Sequence, residues 1–507
     1  MKRILSIILA CFFVLPTFFM LGCTGQNEQR AVIRVCNCED YIDETLLDDF
    51  MEETGIEVIY STYGTNENLY NELVINPNSY DLVVPSEYMI EKLAIEGRIK
   101  KLDFSRIAGY EDNLSPFIKE RLNHITLSDG SKLYEYMVGY MWGTMGWVYN
   151  TENVSEEDVN SWFSPFENQS LSKKITIKDS VRDSYIVGLA MTYEQELKEA
   201  VANEDNSKVS QILNRIEQKD IDAVGQTLSS LKPYLYGFEV DSGKNDIILG
   251  NIDAYVAWSG DAAYAIDVAA GDAEDEDGTV LEDDALRDLS YYIPEEGSNI
   301  WFDGFVMPSG SDNETAVYKF LEFISRPSSV YRNMNYTGYT SMIAGGEFEA
   351  YDEKTKTTYT TDLFNEVVIG WFDEEYTEVE PGTVEVDFSY FFRMPGDTNN
   401  YTIIVSEESY GRLMAQYPEE KLVNRCAVMS CFDNDTLLAV NEMWEGVKGE
   451  TFPTWLIILF AVVIVIIGAL VVLSKYKDKI KWLKLPERKL TYAEKRGLKI
   501  VKKVQIK

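Results

Sequence analysis

Polar and aromatic residues that could contact a ligand follow three short β-rich runs near the start of the chain. The runs and the residues that follow them are Ala31–Val35 with Asn37–Asp40, Ile56–Tyr60 with Ser61–Thr65, and Asp81–Val84 with Ser86–Tyr88. Their amide, hydroxyl, carboxyl and phenol groups can hold a solute by hydrogen bonds and apolar contact. These residue types favour solute binding over bond-making chemistry.

Catalytic motifs find little support in the sequence. The sole histidine, His124, lies in Arg121–Ser128 with no acidic or thiol motif around it. The chain has no glycine-rich phosphate loop, no nucleophile elbow and no string of metal ligands. We therefore expect a protein that is not an enzyme and that uses neither a cofactor nor a metal.

Helical segments separate the β-rich runs and must position the residues that follow them. The helix predictions are Asp43–Glu53, Asn66–Leu73 and Glu87–Glu96, each with apolar residues at helical spacing. Alternating strands and helices predict a doubly wound parallel sheet, whose ligands bind beyond the carboxyl ends of its strands. The candidate residues would then meet at one edge of one sheet.

The composition limits the class of partner. The 507 residues exceed one ordinary core, so two packed lobes with appendages are expected. The formal net charge is −38, although the stretch Lys475–Lys507 carries 13 Lys/Arg against 3 Asp/Glu. Such an acidic body repels nucleic acid and attracts cations, which by itself is weak support for a cationic ligand.

The amino-terminal segment has the order of an export signal. A basic start, Met1–Arg3, precedes the apolar run Ile4–Leu21 and then Gly22-Cys23. Residues 1–23 are therefore predicted to be a lipoprotein-type signal peptide with lipid on Cys23. An uncleaved signal anchor is the alternative.

A second apolar segment lies near the carboxyl end. Trp455–Leu473 contains 19 residues without a charge, about the length that crosses a bilayer core. We predict a transmembrane helix over 454–474. Because the positive side stays cytoplasmic, residues 24–453 would lie outside the cell membrane and the basic tail 475–507 inside.

Four cysteines remain in the exported body. Cys36 and Cys38 form one pair in sequence, and Cys426 and Cys431 form another. Neither spacing is usual for zinc. Free thiols or one disulfide are favoured over a four-thiol metal site.

Several motifs in the same order resemble those of bacterial spermidine/putrescine-binding proteins. They are Val58–Tyr63, Asp81–Ser86, Tyr140–Gly143, Asp179–Asp183, Ala257–Gly260, Ile300–Asp303 and Thr337–Tyr339. The resemblance runs with interruptions from about residue 31 to 343. It implies an α/β, two-lobed periplasmic-binding-protein fold of type II with a hinge.

Domain boundaries follow from combining this resemblance with the composition. Lobe 1 is predicted over 31–145 and 304–343, and lobe 2 over 146–303 and 344–449. Within lobe 2, the range 344–420 is rich in tyrosine, threonine and acidic residues. We expect it to be an elaboration of the lobe.

The resemblance also implies roles for individual residues. Trp258 and Trp301 match tryptophans that sandwich a methylene chain, and Tyr339 matches another aromatic wall. Asp303 matches a carboxylate that grips an ammonium group, and Asp183 matches a second carboxylate. Aromatic faces and carboxylates at amine spacing are the groups that a polyamine requires.

The remaining candidates match the family less closely. Ser86 and Tyr88 match a polar and aromatic pair after the third strand, and Ser180 stands where some members have aspartate. Where the family often has Asn-Trp-Thr, this chain has Asn37-Cys38-Glu39. One aromatic wall is missing there, and Glu39 adds a carboxylate.

Together these features predict the extracytoplasmic substrate-binding component of a polyamine (spermidine or putrescine) ABC importer. It would close its lobes on the ligand and deliver it to ABC permease subunits. One alternative is a receptor of the same fold for another cationic amine. Another is a sensor that acts through its transmembrane helix.

Overall fold

The computed structural model describes residues 31–273, 279–282, 285–352, 354–372 and 376–449. The described residues up to Val447 form one compact unit. In these ranges, every helix is too short or too polar to span a bilayer. The predicted signal peptide with Cys23, the predicted transmembrane helix 454–474 and the basic tail lie outside the described residues.

Two sheets carry the fold. The strands are β1 (Val32–Cys38), β2 (Glu57–Tyr63), β3 (Leu82–Val83), β4 (Val138–Asn150), β5 (Ile175–Lys178), β6 (Gly237–Glu239), β7 (Ala254–Trp258), β8 (Leu289–Tyr292), β9 (Ser298–Phe305), β10 (Thr340–Ser341), β11 (Glu347–Asp352), β12 (Thr357–Asp362), β13 (Thr383–Asp387), β14 (Thr402–Ser406) and β15 (Cys426–Ala427). The first sheet has the parallel order β2-β1-β3. The second has the order β15-β9-β4-β7-β5-β6, with β8 and β10 also paired to β4.

The first sheet confirms the predicted doubly wound start of the chain, but β1 and β2 are longer than predicted and β3 is shorter. In the observed register Cys36 pairs with Ser61 and Cys38 pairs with Tyr63. The prediction that Asn37, Cys38 and Ser61–Tyr63 follow the strands was wrong, because backbone pairing continues through them. Only Glu39 and Asp40 come after β1.

Strand β4 connects different parts of the second sheet. Its first half, from Val138 to Thr144, pairs antiparallel with β9. Its second half, from Met145 to Asn150, pairs with β7 and β8. All thirteen residues of β4 are buried, so this strand lies within the hydrophobic core.

Helices cover both sheets. The α-helices are Thr45–Thr54, Asn66–Ile75, Glu87–Ile95, Tyr110–Asn113, Pro116–His124, Glu156–Val159, Val181–Thr192, Glu194–Ala202, Asn206–Leu213, Gln218–Leu231, Ser242–Ile248, Ser259–Ala270, Glu314–Ile324, Pro327–Thr337, Gly370–Phe372, Ser389–Phe392, Glu407–Gln416, Glu420–Val423 and Asn434–Lys448. Short 3-10 helices are Phe104–Arg106, Leu133–Tyr136, Ser164–Phe166, Gln169–Leu171 and Lys232–Tyr234, and Phe364–Ile369 is a π-helix.

Local sequence explains where the first helices begin and end. Leu46, Leu47 and Phe50 bury one face of the first helix, as their spacing predicts. This helix ends at Gly55, whose φ of 72° is a left-handed conformation that glycine adopts without steric cost. The next helix begins after Thr65, whose side chain accepts the backbone N–H of Asn68.

The range 344–420 folds into two hairpins, β11-β12 and β13-β14, with short helices between and after them. The Phe391 ring stacks on Trp142 of β4, and the backbone oxygen of Phe391 accepts a hydrogen bond from Ser115. Arg412 forms a bidentate ion pair with Asp267 of the helix Ser259–Ala270. This range therefore packs on elements from both ranges predicted as lobes, whose boundaries stay a prediction.

The four body cysteines are free thiols. Cys36 and Cys426 are buried, and Cys38 and Cys431 are half-buried. In the described part of the chain, no cluster of histidine, cysteine and acidic residues could hold a metal ion. Cys38 is the one whose side chain reaches the cavity described next.

Candidate functional site

A cavity of about 740 Å³ lies beyond the carboxyl ends of parallel strands from both sheets. Cys38, Tyr63 and Ser86 at the ends of β1, β2 and β3 line one side, and Ser180 and Trp258 after β5 and in β7 line the other. This is the position at which α/β sheets bind ligands. All predicted ligand-binding residues line it: Glu39, Ser86, Tyr88, Ser180, Asp183, Trp258, Trp301, Asp303 and Tyr339.

Asp303 is one of the buried residues that line this cavity. It belongs to β9 and bridges the backbone of Ser86, and the residue is only 8% exposed. Its Oδ2 accepts a hydrogen bond from the Tyr41 hydroxyl at 2.8 Å. Its Oδ1 is buried and has no hydrogen-bond partner among the described residues. A buried oxygen of this kind is costly unless a ligand donates to it.

Burial makes Asp303 a weak acid in the absence of ligand. Desolvation raises the pKa of its carboxyl to about 6, against the lowering effect of two nearby hydroxyls, Ser86 and Tyr41, of which Tyr41 forms the hydrogen bond described above. Asn66 in turn donates to Ser86 Oγ at 3.0 Å and so fixes this hydroxyl. An ammonium group at Oδ1 would restore the charge that burial disfavours.

Glu87 is a second buried carboxyl group close to Asp303. Its Oε2 accepts the backbone N–H of Phe302 at 2.9 Å, and its Oε1 is buried without a partner among the described residues. Burial raises the pKa of Glu87 to about 8, so it is mostly protonated at neutral pH. Burial therefore raises the pKa of both neighbouring carboxyl groups, Asp303 and Glu87, and that of Glu87 is the higher.

Aromatic side chains form a continuous wall between Asp303 and Asp261. The Tyr41 ring lies edge-on to Tyr339 with ring centroids 4.8 Å apart, and Tyr339 lies 5.8 Å from Trp301. The Tyr339 hydroxyl donates to Asp261 Oδ1 at 2.8 Å.

Two glycines make room for this wall. A Cβ atom at Gly260 would overlap the Tyr339 ring, and one at Gly143 would overlap Ser259 and Trp301. Both glycines lie in motifs that the sequence singled out. Their role is the close approach of backbone to an aromatic ring.

Asp183 and Tyr88 lie on opposite sides of the cavity and share a charged environment. Burial raises the pKa of Asp183, although hydrogen bonds from Ser180 and Trp258 lower it. The Tyr88 hydroxyl donates to Glu67 Oε1 at 3.3 Å. Arg182 lies 4.2 Å above the Tyr88 ring, which holds this ring against the cavity.

The lining is strongly acidic. The described carboxyl groups that line the cavity are Glu39, Asp40, Glu67, Glu87, Asp183, Asp241, Asp261 and Asp303. Among the described lining residues the one basic side chain is Lys244, whose Nζ lies 3.7 Å from Asp40 Oδ2. Such a cavity attracts cations and repels anions.

Sequence reasoning missed several lining residues. Tyr41, Glu67 and Asp261 line the cavity but lie outside the predicted ligand-binding residues, and Glu87 falls in the candidate range Ser86–Tyr88 without being singled out. Position offers a signal for Asp261, because it closely follows the end of β7. Tyr41 and Glu67 had no comparable signal.

Comparison with known proteins places these features in a family. The spermidine/putrescine-binding periplasmic protein of Salmonella typhimurium is 28% identical over 292 residues, which cover 57% of this chain and 72% of the relative. The putrescine-binding periplasmic protein of Pseudomonas aeruginosa is 29% identical over 310 residues, which cover 60% and 76%.

A solved structure shares the fold. The spermidine/putrescine ABC transporter substrate-binding protein of Streptococcus pneumoniae aligns with a TM-score of 0.52 at 23% identity, over 82% of this chain and 98% of that chain. At this identity the likeness concerns the fold alone. It confirms the predicted two-lobed periplasmic-binding-protein fold.

A family model gives the broadest match. Residues 45–350 match the model described as bacterial extracellular solute-binding protein. This agrees with the prediction that the chain binds a solute and is not an enzyme. Because the match spans more than half of the chain, the protein belongs to the bacterial extracellular solute-binding protein family.

Proposed function

We propose that this protein captures a polyamine, spermidine or putrescine, as the substrate-binding component of an ABC importer. The observation that carries the proposal is Asp303, a buried carboxylate with one unpartnered oxygen at the end of an aromatic wall. The polyamine-binding relatives support the same ligand class.

The energetics suit an alkyl amine. A charge-assisted hydrogen bond contributes about 1.5–3 kcal/mol, and a cation–π contact about 0.5–2 kcal/mol. Two carboxylates and three aromatic contacts supply about 4.5–12 kcal/mol before the ordering costs of association, so only the upper end of that range reaches the about −8 kcal/mol of a micromolar complex. Aromatic walls add nothing for a hydrated metal cation, so they favour amines over sodium or calcium.

Capture would proceed by closure of two sides over the ligand. The Asp40–Lys244 ion pair and the Arg182–Tyr88 stacking already connect residues on opposite sides of the cavity. We propose that the closed form delivers its ligand to permease subunits. The apolar run Trp455–Leu473 supports a membrane anchor, and Cys23 supports a lipid at the other end.

A thermal-shift screen of the full-length protein tests the ligand class. We expect putrescine or spermidine to raise Tm, and sugars, anions and neutral amino acids to leave it unchanged. The departure at Cys38-Glu39 keeps another cationic amine as the second candidate. A shift with a different amine and none with either polyamine would favour that candidate.

Affinity is expected to fall as the pH is lowered through about 6. The pKa of Asp303 is about 6 without ligand, so below that pH the ammonium must displace a proton. The limiting slope is about a tenfold loss of affinity per pH unit for one proton. Glu87, with a pKa of about 8, would add proton release near neutrality if it contacts the ligand.

Calorimetry at about pH 5 and about pH 7.5, in two buffers of different ionisation enthalpy, measures both the affinity and the protons released. Asp303→Asn is the matched variant, since it removes the titrating group. An affinity that stays constant between these pH values would contradict a role for Asp303 as the ammonium acceptor.

A further inference from the structure

Two hydrogen-bonded residues behind the cavity wall, Tyr140 and Asn333, hold the loop that follows β1. Tyr140 belongs to β4 and Asn333 to the helix Pro327–Thr337, and both are buried. Neither is among the residues that line the cavity. Tyr140 opens the motif Tyr140–Gly143, and ligand contact does not account for its presence there.

A chain of hydrogen bonds connects this pair to two points of the loop. Asn333 Oδ1 accepts the backbone N–H of Asp43 at 2.8 Å, and Asn333 Nδ2 donates to the Tyr140 hydroxyl at 2.7 Å. The Tyr140 hydroxyl donates in turn to the backbone oxygen of Tyr41. Because the amide accepts on one side and donates on the other, its orientation is fixed. The chain therefore holds the backbone of both Tyr41 and Asp43.

The loop also carries the phenol that contacts Asp303. Asp40, just before it, has a φ of 49°, a left-handed conformation that a residue other than glycine adopts at a steric cost. The Tyr41 ring lies edge-on to Tyr140, with centroids 5.4 Å apart, and to Tyr339. These contacts direct the Tyr41 hydroxyl to Asp303 Oδ2 at 2.8 Å.

The Tyr41 hydroxyl affects the charge of Asp303. Burial raises the pKa of Asp303 to about 6, and the hydrogen bond from Tyr41 acts in the opposite direction. The other titratable groups described as interacting electrostatically with Asp303 are Cys38, Tyr63, Glu87, Tyr140 and Asp183. None of these groups is basic, so the hydroxyl donor matters for the ionised form of Asp303.

We infer that Tyr140 and Asn333 are positioning residues that set the strength of amine binding through the Tyr41 hydroxyl. The inference rests on the proposed function, since it requires an ammonium group at Asp303. Tyr140 fixes the backbone oxygen of Tyr41, and Asn333 fixes the Tyr140 hydroxyl. Loss of either contact releases the phenol that donates to Asp303.

Tyr140→Phe tests the inference, because it removes only the hydroxyl that joins Asn333 to Tyr41. Calorimetric titration of the full-length protein with putrescine and with spermidine, at about pH 5 and about pH 7.5, measures the affinity. We expect at least about a threefold loss at pH 5 and a smaller loss at pH 7.5, because a higher pKa of Asp303 costs affinity mainly where protons compete with the ammonium group. An equal loss at both pH values would show a merely structural role and overturn the inference.

A double-mutant cycle with Tyr41→Phe identifies the route of the effect. Tyr41→Phe removes the hydroxyl that donates to Asp303 and keeps the ring. In that background, Tyr140→Phe should lower the affinity at pH 5 by less than about twofold, because the hydroxyl through which it acts is already absent. The same loss with and without the Tyr41 hydroxyl would overturn the inference.

Two further variants keep the test decisive if Tyr140→Phe folds poorly. Asn333→Ala breaks the same chain at its other member and should show the same pH-dependent loss. Tyr185→Phe is the matched control, since its buried hydroxyl also donates to a backbone oxygen, that of Arg215 at 2.8 Å, away from the cavity lining. Its affinity should equal that of the unaltered protein at both pH values.

The outcomes separate this inference from the proposed function. Amine binding by the unaltered protein, with losses in the Tyr140 and Asn333 variants no greater than in Tyr185→Phe, would overturn the inference while polyamine capture stands. Binding of neither amine by the unaltered protein would overturn the proposed function, and the inference with it.

Discussion

Asp303→Asn is expected to weaken polyamine binding by at least about tenfold, which corresponds to the loss of one charge-assisted hydrogen bond. In the unaltered protein the Tyr41 hydroxyl donates to Asp303 Oδ2. Asparagine keeps the shape of the side chain, and its amide oxygen can accept the same hydrogen bond. It cannot offer a negative oxygen to an ammonium group at the position of Oδ1. Titration of the variant and the unaltered protein with the same polyamine measures the difference.

The stability of the ligand-free variant gives an independent readout. The pKa of Asp303 is about 6, above its ordinary value, so ionisation destabilises the folded state as the pH rises through that range. Asparagine removes this cost, and Tm at neutral pH should stay equal or rise. The exposed Asp312→Asn is the control for the charge change and should alter neither quantity. Full affinity in Asp303→Asn would rule out this carboxylate as the ammonium site.

Trp258→Ala is expected to lower affinity at least about tenfold, because it removes a cation–π face and the apolar cover of the methylene chain. The ring is half-buried in the cavity wall between Lys178 and the ligand space. Trp258→Phe keeps an aromatic face but not the hydrogen bond to Asp183. The affinity of the Trp258→Phe variant should therefore lie between that of the alanine variant and that of the unaltered protein.

Trp371→Ala is a matched control for the loss of a half-buried indole. Trp371 lies in the range 344–420, from which no described residue lines the cavity. Its affinity is expected to equal that of the unaltered protein. Equal affinities in the Trp258 and Trp371 alanine variants would show that the Trp258 wall does not contact the ligand.

The fold of the first sheet could be predicted because its signals are local. The buried run at Leu82 and Val83 and the spacing of Leu46 and Phe50 mark a strand and a helix directly. Strand ends are less local. Asn37 and Cys38 extend β1 because β2 pairs with them. The sequence of β1 alone does not show how far this pairing continues.

Site residues could be predicted from the sequence only where they belong to one of the motifs that occur in family order. Trp301 and Asp303 stand in such a motif, and the cavity brings them together with Trp258. The contact of Tyr41 with Asp303 spans 262 positions, and that of Lys178 with Asp261 spans 83. The sequence shows a lysine at the end of an apolar strand but not which carboxylates surround it, so the ion pairs of Lys178 follow from the tertiary structure alone.

The proposed function requires that the cavity binds a polyamine. Calorimetric titration of the full-length protein with putrescine and spermidine at neutral pH measures this directly. We expect one site, with a Kd in the micromolar range or tighter for at least one of them, which is about −8 kcal/mol or more. No heat and no change in Tm with either amine would contradict it.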